Sequence, residues 1–276
     1  MDRSLGRLFV LASCIMLFGV GCEKLVPVPL PVVLQRSATT TATGASPSAV
    51  IGWSARGPGV DRTAFRFSTS TASEVVIYRF SRTKHTFGFR HSTSSAAVSE
   101  WMGRESEALF AANGVYFHED ELPSGWFRTE GKVIGARSFD ADKSALLVLE
   151  PNPTILVNTS EQKAAKQKAR DAAQSFPLLI SGGVAAVKED SGKVARRTFV
   201  GTDKAQEYLY VGIVPYTGIS LYELSQALTR LPVRWEAVLN LDGGPSSGIV
   251  FRSPDQSETV DSYVTVPNIL VIHPKN

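Results

Sequence analysis

The sequence predicts an α+β fold: a mixed, strand-rich sheet core with a few packed helices, in a single domain. Two observations carry this. Short apolar runs bounded by turn residues recur from Thr63 to the C-terminus, whereas only three stretches have helical character. Several of those runs also end directly on glycine or a polar cluster, as expected when strand ends line a cleft. With 276 residues, 43% hydrophobic and 20% charged, the chain has the composition of a folded globular protein.

Taken in order, residues 1–22 read as an export segment. Arg3 and Arg7 form a basic n-region, and Leu8 to Val20 is an apolar stretch too short for a membrane span of ~20 residues. Gly19-Val20-Gly21-Cys22 is similar to a bacterial lipoprotein cleavage box, with Gly19 where leucine is usual. On this reading Cys22 is lipidated and the chain is a membrane-anchored lipoprotein of the cell envelope, facing the periplasm or the exterior. An ordinary secretory signal and an uncleaved anchor are the other readings, and each exports the protein. Residues 23–50 form a Pro/Ser/Thr-rich linker: Val26-Pro27-Val28-Pro29 favours extended conformations, and Ser37 to Ser48 cannot build a core. The folded domain is expected over residues 51–276.

Within it, Thr63–Ser68 and Ser73–Phe80 alternate and are expected to pair. Ser94 to Gly103 reads as a short helix with Val98, Trp101 and Met102 on one side. Ala108 to Ala112 is a buried run ending at Asn113-Gly114. Ala145–Leu149 and Thr154–Val157 flank a Pro151-Asn152-Pro153 turn. Glu161 to Gln174, rich in Ala, Lys and Gln, reads as a helix with a Thr159/Gln162 capping box. Phe176 to Ile180 starts a strand closed by Gly182-Gly183, and Tyr208–Val214 is another. Ser220 and Glu223 form a second capping box before a helix with Leu221, Leu224, Ala227, Leu228 and Leu231 on one face, stopped by Pro232. Ala237–Leu241, Ile249–Phe251 and Asn268–Ile272 complete the strands.

Composition narrows function. The formal charge is +3 with no dense basic stripe, which argues against nucleic acid as a partner. Both cysteines, Cys14 and Cys22, lie in the leader, so the domain has neither disulfides nor cysteine metal sites. No Walker loop, dinucleotide fingerprint, zinc motif or nucleophile elbow is present. No cofactor is required, and a divalent metal remains compatible with the carboxylates. The loop His118-Glu119-Asp120-Glu121 reads as a solvated acidic turn.

Three clusters follow apolar runs. In Asn113-Gly114-Val115-Tyr116-Phe117, an asparagine amide at a buried strand end offers donors and an acceptor to a polar ligand; a plain hairpin turn is the competing reading. In Arg196-Arg197-Thr198-Phe199-Val200-Gly201, a planar guanidinium fork suits phosphate oxygens; two surface arginines on a loop are the alternative, although the hydroxyl, apolar pair and glycine that follow suggest a tight structure. In Asn240-Leu241-Asp242-Gly243-Gly244-Pro245-Ser246-Ser247, a strand delivers a carboxylate. Asp242 could act as an acid or base, bind a metal, or cap its own turn, and Gly243-Gly244 could offer backbone donors to an anion.

Together and in this order, the segments resemble the phosphodiester glycosidase family, from about Ala108 to the C-terminus. Asn113-Gly114 with Tyr116 and Phe117, Pro177 to Gly183, Arg197-Thr198…Gly201 and Ala237 to Gly244 match its motifs, with Pro245 where relatives more often carry a small residue. Residues 50–107 are not covered. The resemblance implies hydrolysis of the glycosidic bond of a sugar-1-phosphodiester, on a carbohydrate or sugar-phosphate substrate of the envelope or exterior. Arg197 and the Gly243-Gly244 amides would stabilise the phosphate leaving group. Because that group is weakly basic, Asp242 alone could suffice as base, nucleophile or metal ligand. Asn113, Gly114, Tyr116, Thr198, Ser246 and Ser247 would hold the substrate. The alternative is a non-catalytic, glycan-binding envelope lipoprotein. Convergence of Asn113, Arg197 and Asp242 in one cleft discriminates between the two.

Overall fold

The computed structural model describes residues 52–68 and 72–275. The export segment, the linker and Cys22 lie outside them. In chain order the elements are β1 (Ser54–Gly57), β2 (Val60–Ser68), β3 (Ala72–Ser81), β4 (His85–Ala96), α1 (Val98–Arg104), β5 (Phe110–Asn113), β6 (Phe127–Thr129), β7 (Lys132–Ile134), β8 (Ala145–Glu150), β9 (Thr154–Leu156), α2 (Thr159–Lys168), β10 (Asp171–Ser175), β11 (Leu178–Ser181), β12 (Val184–Ala185), β13 (Ala195–Asp203), β14 (Tyr208–Ile219), α3 (Leu221–Leu228), β15 (Trp235–Asn240), β16 (Ile249–Arg252), β17 (Ser257–Val260) and β18 (Val266–Pro274).

Three sheets result. The largest runs β1-β2-β3-β14-β13-β15-β11-β12, the second β7-β6-β10-β8-β9, and the third β17-β16-β5-β18-β4. Every strand pairing among the described residues is antiparallel.

Side-chain alternation explains how the sheets assemble. Along β14, Leu209, Val211 and Ile213 enter a central core, while Tyr208, Tyr210 and Val214 point to the other face. Along β18, Leu270 and Ile272 enter the same core and Ile269 and Val271 face away. All three sheets contribute one face to this shared core. Each covers its outer face with one helix: α3 on the largest sheet, α1 on the third and α2 on the second. Glycine makes the packing possible where rings cross the sheet. A Cβ at Gly212 would lie 2.1 Å from the Phe199 ring.

Most expected elements are present, including the paired β2 and β3 and the Ser220/Glu223 capping box of α3. Three expectations need correction. The helix expected over Glu161–Gln174 ends at Lys168, and Asp171–Ser175 is a strand inserted between β6 and β8. There tertiary pairing overrides the helical propensity of Ala172 and Ala173, both wholly buried. The cap of α2 is Asn158, whose side chain accepts from the Ser160 and Glu161 N–H groups, not a Thr159/Gln162 box. Ser94 to Ala96 belong to β4, so α1 begins only at Val98, with the expected Val98, Trp101 and Met102 buried. Arg196 to Gly201, for which a surface loop is the alternative reading, lies within β13, which pairs with β14 and β15.

Candidate active site

The candidate site lies where β15 leaves the largest sheet and the chain crosses into the third. The Leu241 N–H still donates to the Thr198 carbonyl of β13 (2.9 Å). One residue later, the Asp242 N–H donates to the Gly114 carbonyl (3.1 Å), just beyond the end of β5. Asp242 therefore sits at the seam between two sheets. A short 3-10 turn, Gly244–Ser246, follows and leads into β16. Gly244 adopts φ +60°, a left-handed conformation that favours glycine.

Buried asparagines hold this seam. Asn113, fully buried at the end of β5, donates from Nδ2 to the Asp242 carbonyl (2.8 Å) and the Gly114 carbonyl (3.3 Å). Its Oδ1 accepts the Gly248 N–H (3.1 Å). Asn240 donates from Nδ2 to the Tyr116 hydroxyl and to the Leu241 carbonyl, each at 2.6 Å. Asn268 occupies the space in front of Gly114, where a Cβ would lie 2.0 Å from its Oδ1. Glycine at 114 thus serves packing against Asn268. The amide of Asn113 is spent on backbone, which makes Asn113 a positioning residue.

Around the Asp242 side chain the arrangement is half-open. Its Oδ1 accepts the Gly243 N–H at 2.8 Å. Burial pushes its carboxyl above the usual range, and the Ser246 hydroxyl and the Gly243 N–H oppose that shift. Arg197 is fixed by Nε donating to the Ile219 carbonyl (3.0 Å) and Nη2 to the Lys193 carbonyl (2.7 Å). Its Nη1 has no hydrogen-bond partner among the described residues and lies 3.8 Å from where a Cβ on Gly243 would sit. Burial holds its basicity below the ordinary arginine value.

Tyr116 lies within electrostatic reach of both groups. Burial, reinforced by the Asp242 charge, raises its hydroxyl to about 12, against the opposing influence of Arg197 and Asn240. Its ring packs on Phe176 with centroids 4.9 Å apart, and the Lys143 ammonium lies 4.1 Å from the Phe176 centroid.

The sequence-derived residues thus divide. Asp242, Arg197, Tyr116, Gly243 and Ser246 gather at the seam. The Gly243 amide is already engaged by Asp242, while the Gly244 N–H has no partner among the described residues. Thr198 and Ser247 are completely buried, and neither hydroxyl has a hydrogen-bond partner among the described residues. They line the interior beneath the site. Arg196 is buried too, with its guanidinium 4.0 Å from the Tyr263 ring centroid and Nη2 donating to the Asp261 carbonyl (2.9 Å). Phe176 and Lys143 were not singled out by sequence. Lys143 stands alone in a loop, and only the packing of Phe176 on Tyr116 brings it to the site.

Metal binding finds little support in the donor set. Among the described residues no three His, Cys, Asp or Glu side chains come together as a metal site. Asp242 instead has the Gly243 N–H and the Ser246 hydroxyl as partners, with the Tyr116 phenol in electrostatic reach.

Such a fold and seam define an antiparallel, three-sheet protein with a carboxylate and a guanidinium presented together at strand ends. The phosphodiester glycosidase family matches residues 106–273, and the chain belongs to that family. Two solved structures share the fold. The zebrafish N-acetylglucosamine-1-phosphodiester alpha-N-acetylglucosaminidase catalytic domain, auto-inhibited by its pro-peptide, has a TM-score of 0.59 and 15% identity, over 80% of this chain and 86% of that one. A Synechocystis protein described as hypothetical has a TM-score of 0.56 and 15% identity, over 79% of this chain and 62% of the other. No curated protein matches the chain by sequence. The structural likeness covers more of the chain than the family match does.

Proposed function

We propose that the seam hydrolyses the glycosidic bond of a sugar-1-phosphodiester. The observation that carries this is the juxtaposition of the half-buried Asp242 with Arg197, whose free Nη1 faces the Gly243 backbone, in a member of this family. A guanidinium with one uncommitted edge suits the non-bridging oxygens of a phosphate. Lys143 and the Gly244 N–H add donors to the same anion.

Cleavage breaks the bond between the anomeric carbon and the phosphate oxygen. The bonding pair leaves with that oxygen, and Arg197 stabilises the charge that develops. A phosphate leaving group needs little protonation, which is consistent with a single carboxylate at the site. Asp242 supplies the base that takes a proton from attacking water, or the nucleophile that is displaced by water in a second step. The anomeric configuration of the released sugar, followed by NMR, separates the two: inversion marks the first route and retention the second. The rings of Tyr116 and Phe176 offer an apolar surface for a sugar face. Asn113 and Asn240 hold the seam in register.

Residues 1–22 carry the case for export, and lipidation at Cys22 would anchor the enzyme beside envelope or extracellular glycans. Among the described residues no helix is long and apolar enough to cross a membrane.

The test is sugar release from a panel of sugar-1-phosphodiesters, with and without added divalent cation. We expect release by the wild-type chain and a loss of at least about 10²-fold in Asp242→Asn and Arg197→Ala variants that remain folded at the assay temperature. Tight binding without release would support the glycan-binding alternative.

A further inference from the structure

A second cluster stands apart from the seam, on the outer face of the second sheet. A cavity of about 430 Å³ opens between β6, the loop after β7 and the last turn of α2. Trp126, Arg128, Arg137 and Lys166 are among the residues that line it, and its wall contains no carboxylate. Three cationic side chains around one small space, uncompensated, favour an anionic occupant.

Two buried donors sharpen this. Trp126 is completely buried, and its indole Nε1–H has no hydrogen-bond partner among the described residues. The Nε of Arg128 is likewise buried without a partner. A buried donor left unmade costs about 1–3 kcal/mol, and both residues line the cavity. Two of the three cations are anchored. Arg128 donates from Nη1 to the Lys166 and Ala169 carbonyls at the end of α2 (3.0 and 3.1 Å). Lys166 Nζ donates to the Arg137 carbonyl (2.6 Å) and lies 5.5 Å from the Trp126 ring centroid and 4.7 Å from that of Phe139. The Arg137 side chain is exposed and makes no hydrogen bond or ion pair among the described residues.

Donors without acceptors, positive charge without negative, and a volume suited to a small polar group define a site for an oxyanion. We infer that this cavity binds a phosphate group, with the Arg128 and Arg137 guanidiniums, the Lys166 ammonium and the Trp126 indole N–H as its donors. Phosphate could arrive as a free ion or as one unit of a phosphodiester-linked glycan. The inference stands independently of the hydrolytic reading, because none of these residues belongs to the seam.

The experiment uses the full chain, ¹⁵N-labelled, titrated with inorganic phosphate and separately with a poly(glycerol phosphate) oligomer. Sodium chloride of equal ionic strength is the control. The chain has four tryptophans, and the Trp126 indole cross-peak is assigned by its loss in Trp126→Phe. That cross-peak should shift saturably with phosphate and not with chloride. Arg137→Gln, which disturbs no internal contact, should weaken binding about tenfold and leave both the melting temperature and sugar release unchanged. Tighter binding of the oligomer identifies the polymer as the source, and tighter binding of the free ion identifies phosphate itself. If the Trp126 cross-peak responds alike to chloride and to both phosphates, or Arg137→Gln binds as wild type does, the proposal is wrong.

Discussion

Replacing Asn113 with alanine tests whether its amide supports the fold or touches the substrate. In the structure the amide serves only backbone: Nδ2 reaches the Asp242 carbonyl at 2.8 Å, and Oδ1 takes the Gly248 N–H at 3.1 Å. The Gly114 carbonyl, at 3.3 Å, also accepts the Asp242 N–H and so keeps a partner. Asn113→Ala therefore strands two backbone groups, in a residue with no exposed surface. At about 1–3 kcal/mol per group the loss is roughly 2–6 kcal/mol, a large share of the ~5–15 kcal/mol that stabilises a typical protein. For a folded unit of this size that corresponds to a fall of about 8–16 °C in melting temperature, taking roughly 4 kcal/mol and 2–4 °C per kcal/mol. Circular dichroism against temperature measures it, and steady-state kinetics on a sugar-1-phosphodiester gives the companion readout. Activity should fall through kcat, because Asp242 loses its anchor while the binding surface stays in place. A variant that melts within about 1 °C of wild type but shows a tenfold higher KM would refute the reasoning and make Asn113 a substrate ligand.

Further outcomes follow from the same geometry. Burial raises the Asp242 carboxyl in the folded state, so ionising it costs stability: the folded protein gains from this group below the unfolded carboxyl range and loses that gain as pH rises through the raised value. Asp242→Asn should thus melt higher than wild type at pH 7 and converge with it below about pH 4, while sugar release drops by a factor of about 10²–10⁴. The acid limb of the wild-type pH–rate profile should lie above the ordinary carboxylate range; a limb at about pH 4 would argue against Asp242 as the titrating group. Arg197→Lys keeps the charge but loses the fork held by the Ile219 and Lys193 carbonyls, and should cost about 10²-fold in kcat/KM with little change in melting temperature. Gly114→Ala places a Cβ 2.0 Å from Asn268 Oδ1 and should destabilise by about 3 kcal/mol, detected by chemical denaturation.

Much of this was legible in the sequence because each informative segment is a buried strand that stops. Ala111-Ala112-Asn113 and Leu239-Asn240-Leu241-Asp242 announce a strand end by switching abruptly from apolar to polar. The capping box of α3 is written in Ser220 and Glu223. What stayed hidden depended on partners distant in sequence. Asp171 to Ser175 carries residues of ordinary helical propensity, and only docking between β6 and β8 makes it a strand. Its Asp171 carboxylate takes the Phe89 N–H from another sheet (3.0 Å), a contact no local pattern encodes. Lys143 reaches the site only because Gln174 ties the preceding loop down, with Oε1 accepting the Asp140 N–H (2.9 Å) and Nε2 donating to the Asp140 carbonyl (3.1 Å). Of the two readings of the two-arginine segment, the surface loop is the one that fails: Arg196 is buried under Tyr263 near the start of β13.

The roles of the asparagines follow from where the site is. At a seam between sheets, strands leave one ladder before joining another, so several backbone groups lose their regular partners just where a buried orphan is costly. Asn113, Asn240 and Asn268 replace those partners. Each is almost completely buried, and each donates to a backbone carbonyl within two residues of Asp242 or of Gly114. A water-filled seam would satisfy the same groups but would leave Asp242 solvated and its backbone mobile. Fixed amides hold that backbone in place, and burial of the seam pushes the Asp242 carboxyl upward. The feature that makes Asp242 useful as a reactive carboxylate and the feature that makes the seam stable are thus one arrangement. Substitutions at these asparagines should move stability and the acid limb of activity together, whereas substitutions at Arg197 should move activity alone.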